Sequence, residues 1–291
     1  MRHKGLLLVP AALTTTLLLA ACGASESAVQ ANGNPASYGD CEVTGTAGEY
    51  TLDTLTENTL LMKADLPSPG WYNGDTVEDI RSGFDFCLLV NIAHRAGIDN
   101  VKLQMASFDG LVAGKSGDMD LSLNQITITD ERKKVMDFSD PYFQSTAGVL
   151  VKVGSDVTEK NLAQQSLGVK QGTVGQILVA DTFPSTSPAV FPGDSEQQAA
   201  VLAGTVDAGI QDLSIVLGAA AKSGGKLEVV GQIETDEAYG IMMAKGSPNL
   251  GTINKILADL KADGTLDKLS AAYLADAYGI DPASIPVWHL K

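Results

Sequence analysis

The sequence predicts an α/β protein made of two lobes, and three observations carry that expectation. From Leu60 onward, short apolar strands alternate with amphipathic stretches, the pattern of open α/β sheets. The alternation reaches a Gly154-Ser155 stop and then begins again, so a second α/β series sits inside a first. The chain of 291 residues, 44% apolar and 19% charged, has room for two cores of ordinary size. Periodicity alone also admits one long doubly wound sheet.

The chain opens on an address. Arg2, His3 and Lys4 precede an apolar run from Gly5 to Leu19, too short and too threonine-interrupted for a membrane span of roughly 20 apolar residues. This is the layout of a secretory signal. Its end, Leu19-Ala20-Ala21-Cys22-Gly23, resembles a bacterial lipobox, which implies loss of residues 1–21 and diacylation of Cys22. Cleavage at an ordinary A-x-A site is the alternative. Losing residues 1–21 moves the formal charge from −15 to −17, and acyl chains on Cys22 would tether this acidic body to a membrane surface. Ala24 to Gly39 is rich in Ser, Asn, Gly and Ala and reads as a flexible tether. Cys41 and Cys87 remain, and an even pair outside the cytoplasm predicts a disulfide. Alternatively, Cys87 is a buried small hydrophobe.

The body follows in order. Leu60 to Ala64 is a strand ending in the turn-rich Asp65-Leu66-Pro67-Ser68-Pro69-Gly70. Asp85 to Ala96 has helical spacing at Leu88, Leu89, Ile92, Ala93 and Ala96, with Gly97 as its stop. Val101 to Met105 and Asp118 to Leu123 alternate as strands, and Ala147 to Val153 is a β-branched run. In the second series Ser166 to Lys170, Ala189 to Phe191, Val206 to Ile210 and Leu227 to Val230 read as strands. Helices are expected over Val174 to Asp181, Glu196 to Ala203 capped by Ser195, and Leu213 to Ala221. Ala238 to Lys245 is a further strand, and helices over Leu250 to Ala262 and Leu266 to Tyr278 end at Gly264 and Gly279. The stretches near Val151–Val153 and Met243–Lys245 are the expected crossing strands. The division is therefore 1–21 signal, 22–50 tether and N-terminal extension, 51–151 with 246–291 lobe 1, and 152–245 lobe 2. Ligands of open α/β sheets bind at strand carboxyl ends, so a cleft between the lobes is the expected site.

The net charge of −15 argues against nucleic acid as a partner, since phosphate binding rests on clustered Lys and Arg. It leaves an anionic small ligand open. Of three histidines, His3 leaves with the signal, His94 sits on a helix beside Arg95, and His289 is in the tail. H-E-x-x-H, Cys-x-x-Cys and G-x-S-x-G are missing, and Gly168 to Thr173 lacks the Walker spacing. No catalytic residue, metal or cofactor is expected.

The most informative stretch is Asn124-Gln125-Ile126-Thr127-Ile128-Thr129-Asp130-Glu131-Arg132. Thr129 is a candidate N-cap, with Asp130 and Glu131 in the first turn and Arg132 just inside the helix. On the residues alone, Arg132 is either a solvated helix-start arginine or a cation near the cleft. With Lys133 to Tyr142, this segment resembles the signature of the polar amino acid binding proteins of ABC transporters, the extracellular solute-binding proteins of family 3. Gly83-Phe84-Asp85, Phe108-Asp109-Gly110-Leu111 with Gly117 to Asp120, Gln171-Gly172-Thr173, and Gly204 to Ala208 with Gln211-Asp212 resemble the same family, over about Leu60 to Tyr278.

The resemblance implies a periplasmic-binding-protein-like fold of type II, with two α/β lobes joined by two crossing strands. It implies a ligand clamp as well. Arg132 matches the arginine that holds an α-carboxylate, for which a planar guanidinium fork is suited. Thr127 and Thr173 match residues completing that carboxylate site, Thr173 at a helix N-terminus. Asp212 matches the aspartate that takes the α-ammonium. Asp65 matches an acid reaching the ammonium or a polar side chain, or it caps the turn before Pro67. Gln125 and Phe108 match side-chain-facing positions, although Phe108 equally suits the core beneath the loop. Two departures stand out: Cys87 replaces a usual polar residue, and Ser68 replaces an aromatic that often covers the ligand, leaving that packing to Trp71, Tyr72 or Phe108.

Asn124-Gln125 resembles the cystine-binding subgroup, which implies a cystine-like or other neutral polar amino acid. The implied protein is a monomeric lipoprotein outside the cytoplasm that delivers this ligand to the permease of an ABC importer. A ligand sensor, or a secreted dehydratase of small acids on the same scaffold, are the alternatives.

Overall fold

The computed structural model describes residues 33–290; the signal, Cys22 and the tether up to residue 32 lie outside the described residues. Two layers of strands organise them, the first made of two two-stranded sheets linked by isolated bridges and the second a six-stranded sheet. In the first, β1 (Thr59–Ala64) runs parallel to β2 (Asn100–Met105), residue against residue from Thr59↔Asn100 to Ala64↔Met105. Met62 bridges Leu121, Ser122 bridges Met242, and β9 (Met242–Ala244) pairs antiparallel with β3 (Met136–Phe138). The second sheet has six strands in the order β10-β8-β4-β7-β5-β6. They are β4 (Phe143–Lys152), β5 (Leu167–Lys170), β6 (Ala189–Phe191), β7 (Ala208–Asp212), β8 (Leu227–Tyr239) and β10 (Val287–Trp288). Strands β5, β6 and β7 are parallel, while β4 runs antiparallel to both β7 and β8.

The helices are α1 (Phe84–Arg95), α2 (Phe108–Val112), α3 (Asp130–Lys133), α4 (Val174–Thr182), α5 (Asp194–Ala203), α6 (Leu213–Lys222), α7 (Leu250–Ala262) and α8 (Thr265–Ser270). None of the described helices is long and apolar enough to cross a membrane. Helix α1 is buried almost all round, beyond the stripe its spacing predicts. Its second face is covered by the N-terminal segment, where Tyr38 is buried and donates to the Ile98 carbonyl at 2.7 Å. Each of Leu88, Leu89 and Ile92, fully buried here, contributes roughly 1.5–3 kcal/mol. Cys41 and Cys87 are bonded, with Cα atoms 5.3 Å apart. The tether expected over Ala24 to Gly39 therefore ends earlier: residues 36–38 form a helical turn locked on lobe 1.

The lobe boundaries also move. Because β3 pairs with β9 and β4 pairs with β7 and β8, the chain crosses between sheets at 139–142 and 240–241, not near Val151 and Lys245. The expected strand Ala238 to Lys245 is broken there, half in each sheet. An aromatic group braces the crossing: Trp71 meets Phe143 at 5.0 Å and Tyr239 at 5.7 Å between ring centroids. The tail, expected within lobe 1, adds β10 to the second sheet, where Trp288 covers Gly231. The last helix is interrupted by a π-helical stretch, Ala271–Ala275, and Gly264 and Gly279 flank the run at positive φ. Ser195 does not cap α5; that position belongs to Gly193.

Candidate functional site

The strand order brings six carboxyl ends to one cleft. Asp65 follows β1, Phe108 follows β2, and Asn124-Gln125 follow the bridge at Leu121–Ser122. Across from them Lys170 ends β5, Asp194 follows β6 and Asp212 ends β7. All seven residues expected in the site (Asp65, Phe108, Gln125, Thr127, Arg132, Thr173 and Asp212) line this one pocket. Little free space remains among them, about 10 Å³, which is room for about one water.

Arg132 is 7% exposed, which rules out the solvated helix-start alternative. Thr129 caps α3 and accepts from the Arg132 backbone N–H at 3.2 Å, as its place in the sequence predicts. The guanidinium spans both lobes: Nη1 donates to the Thr127 carbonyl at 2.6 Å and Nη2 to the Gly172 carbonyl at 2.9 Å. Two of its five N–H groups are used, so three remain for a ligand. Burial pushes its pKa down, and the charges of Asp212 and Glu237 pull it back up.

Asp212 is 5% exposed and accepts from the Tyr239 hydroxyl at 2.6 Å. Burial, followed by the neighbouring charge of Glu237, pushes its carboxyl up to about 7, against the opposing pull of Tyr239 and Arg132. Glu237, also buried, accepts from the Thr127 hydroxyl at 3.0 Å, and its Oε1 has no hydrogen-bond partner.

The threonines differ from expectation in detail. The Thr127 hydroxyl is directed at Glu237, and its carbonyl at Arg132. The Thr173 hydroxyl donates to the Lys170 carbonyl at 2.8 Å and accepts from the Gln176 N–H at 3.2 Å, so it is engaged as the cap of α4. What Thr173 leaves toward the pocket is the N-terminal end of α4, which favours an anion.

Gln125 is held from both ends. Its Nε2 donates to Asp85 at 2.6 Å and its Oε1 accepts from Ser68 at 2.8 Å. Its φ of 49° is in the left-handed region, sparsely populated by residues other than glycine and therefore held by its surroundings. Burial pushes the Asp85 carboxyl up to about 7, against these hydrogen bonds from Gln125. Of the three aromatics available to pack a ligand, only Phe108 lines the pocket. Trp71 is spent on the crossing, and the Tyr72 hydroxyl donates to the Leu123 carbonyl at 2.6 Å.

Lys170, Asp194 and Gln211 line the pocket and Glu237 adjoins it, none of them expected as site residues. Lys170 is paired with Asp65 at 2.6 Å and Asp194 at 2.7 Å. Burial alone lowers its pKa, but the charges of Asp194 and Asp65 outweigh that and raise it. The ammonium also lies 4.9 Å from the Phe108 ring centre, with the Arg132 guanidinium 5.5 Å from the same ring. The rule that ligands meet strand carboxyl ends, applied strand by strand, points to Lys170 and Asp194. Glu237 carries no such signal, because it lies within β8 and enters the site only through the crossing. Among the described residues no group of His, Cys, Asp and Glu is arranged to hold a metal.

Comparison with known proteins finds relatives over most of the chain. Residues 62–276 match the model of the bacterial extracellular solute-binding proteins, family 3. The ABC transporter glutamine-binding protein GlnH of Bacillus subtilis is 32% identical over 93% of this chain and 96% of its own. The L-cystine-binding protein TcyJ of Escherichia coli is 30% identical over 65% of this chain and 73% of its own. Among solved structures, an ancestral arginine-binding protein bound to glutamine superposes with a TM-score of 0.68 at 31% identity, covering 75% of this chain and 98% of that one. The fold is thus the type II periplasmic-binding-protein arrangement, and the chain belongs to the bacterial extracellular solute-binding proteins of family 3.

Proposed function

We propose that this chain is the substrate-binding component of an amino acid ABC importer and closes its lobes on the zwitterion of a neutral polar amino acid. One observation carries the reading: Arg132 from lobe 1 and Asp212 from lobe 2 are both buried and line the same cleft. The three unspent N–H groups of Arg132 suffice for a bidentate grip on an α-carboxylate. Asp212, with Glu237 beside it, offers the negative charge for the α-ammonium. A ligand bridging these groups interacts with both lobes only when they are together, and that differential affinity drives closure. The closed form then docks on the permease. Phe108 and Gln125 face the ligand side chain, and a cystine-like or carboxamide side chain suits an apolar ring beside a neutral amide. Acylated Cys22 would keep the protein on the outer face of the cell membrane.

Calorimetry with a panel of free amino acids and cystine tests the reading. Binding of a neutral polar amino acid near micromolar affinity, about −8 kcal/mol, is expected. Tight binding of glutamate alone, or of no amino acid, refutes it. Replacing Cys22 with Ala should move the protein from the membrane fraction to the soluble one, and continued membrane association would reject the anchor.

A further inference from the structure

We infer that the end of the chain, from Gly279 onward, is a strap that ties the two lobes together as a third connection beside the two crossings, and that its shortness strengthens ligand binding. The effect on binding rests on the function proposed above, whereas the tie between the lobes does not. The strap follows residue 276, where the family match ends.

Each end of the strap is fixed on a different lobe. The helical run before it is seated on lobe 1, where Leu274 is buried in the larger apolar core. Gly70, in the turn after β1, packs so closely on this run that a Cβ there would meet Ala277 Cβ at 3.0 Å and the Tyr273 carbonyl oxygen at 3.3 Å. The Tyr273 hydroxyl lies 3.4 Å from Cys87 Sγ, beside the disulfide. The far end is held by lobe 2 through Gln232 of β8. The Gln232 N–H donates to the Pro286 carbonyl at 2.8 Å, and its Nε2 donates to the carbonyls of Ile285 at 2.7 Å and Pro282 at 3.3 Å. Beyond them Val287 and Trp288 pair with β8, and Trp288 is buried with Ala147, Val149 and Ile233. The His289 N–H donates to Glu159 at 2.7 Å and closes the attachment.

The link between these anchors is short. Residues 279–281 alone separate Tyr278 from Pro282, so the two anchors can lie at most about 14 Å apart. Gly279, at a φ of 67°, ends the helical run and turns the chain, and Ile280 is exposed. A cavity of about 250 Å³ lies between this link and the start of β4, lined by Phe143, Ser145, Leu217, Tyr278 and Pro282. The link is therefore held at its ends rather than by packing along its length, as a tie is. The arrangement it fits is the one in which the lobes meet across the cleft: Arg132 donates to the Gly172 carbonyl at 2.9 Å, and Gln171 Nε2 donates to Asp109 at 3.2 Å. A short tie fitted to that arrangement confines the lobes near it before a ligand arrives. Apparent affinity scales with the fraction of chains already in the competent arrangement, so the strap strengthens binding without touching the ligand.

Lengthening the link tests this with both anchors intact. A Gly/Ser insertion of about six residues after Ile280 adds up to about 20 Å of reach. Spin labels at Lys134→Cys in lobe 1 and Lys160→Cys in lobe 2, both exposed positions, report lobe separation in the mature protein carrying Cys22→Ala. The insertion should broaden the distance distribution measured without amino acid and leave the distribution at saturation as in the wild type. It should also weaken binding of the tightest amino acid of the calorimetric panel by about tenfold. An insertion variant with the distances of the wild type overturns the inference, and so does one that binds within twofold of the wild type. Deleting residues 282–291 should reproduce both effects; if that deletion prevents folding by uncovering the core beneath Trp288, the insertion variant decides alone. A wild type that binds no amino acid refutes the proposed function, and the distances still decide whether the strap ties the lobes, so the two failures are distinguishable.

Discussion

Replacing Arg132 with Ala removes a guanidinium that reaches both lobes from inside the cleft. Its contacts within the chain are the Thr127 carbonyl at 2.6 Å and the Gly172 carbonyl at 2.9 Å. Three N–H groups remain, enough to hold both oxygens of an α-carboxylate. Without them that carboxylate would be buried beside Asp212 and Glu237, with Lys170 in the same pocket already committed to Asp65 and Asp194. Breaking one side of such a buried pair costs about 3–5 kcal/mol, a weakening of more than ~100-fold. Arg132→Lys keeps the charge and loses the planar fork, so an intermediate loss of roughly tenfold is expected. The assay is calorimetry with the tightest-binding amino acid of the panel, together with thermal melts of the ligand-free variants to show that they fold. A cooperatively folded Arg132→Ala protein binding within threefold of the wild type would refute the clamp.

Other consequences follow from the same geometry. The Asp212 carboxyl is held at about 7, above its unfolded value of 3.8, chiefly by burial and then by Glu237. The folded, ligand-free chain therefore keeps a proton that the unfolded chain releases, and this group's contribution to stability falls as pH rises from about 4 to about 7. An ammonium ligand requires the ionised acid, so affinity should weaken as pH drops below about 7, by up to about tenfold per unit; a flat profile down to about pH 5.5 would remove Asp212 from the ammonium site. Reduction of Cys41–Cys87, 46 residues apart, should lower stability by about 4 kcal/mol, and thiol titration of the denatured, unreduced mature protein should find no free thiol. Gly231→Ala would place a Cβ 2.2 Å from the Trp288 ring, so the tail must shift, at a cost of about 1–3 kcal/mol. Faster proteolytic clipping of the tail checks this, and an unchanged melt and clipping rate would refute it.

Local chemistry was legible in short segments of the chain. The alternation of apolar strands with amphipathic helices placed most elements within a few residues, because period and turn residues are properties of short segments. The capped start at Thr129, the paired cysteines and the order of motifs from Gly83 to Asp212 were legible for the same reason. Asp65, Phe108, Thr173 and Asp212 meet in one pocket because each stands at or near a strand end, and Arg132 joins them from the first turn of α3; both kinds of position are readable. Tertiary structure alone decided which partners those residues hold. Thr173 spends its hydroxyl on a helix cap, Trp71 serves the crossing, and Asp65 is claimed by Lys170, some hundred residues further along the chain. The break of the strand expected over Ala238 to Lys245 has the same origin, since two sheets compete for its residues. Glu237 enters the site from mid-strand, and Lys170 carries a charge whose meaning depends on two acids from opposite lobes. Periodicity reports which face of a segment is apolar, whereas the field around a buried charge is set by neighbours that only folding brings within a few ångströms.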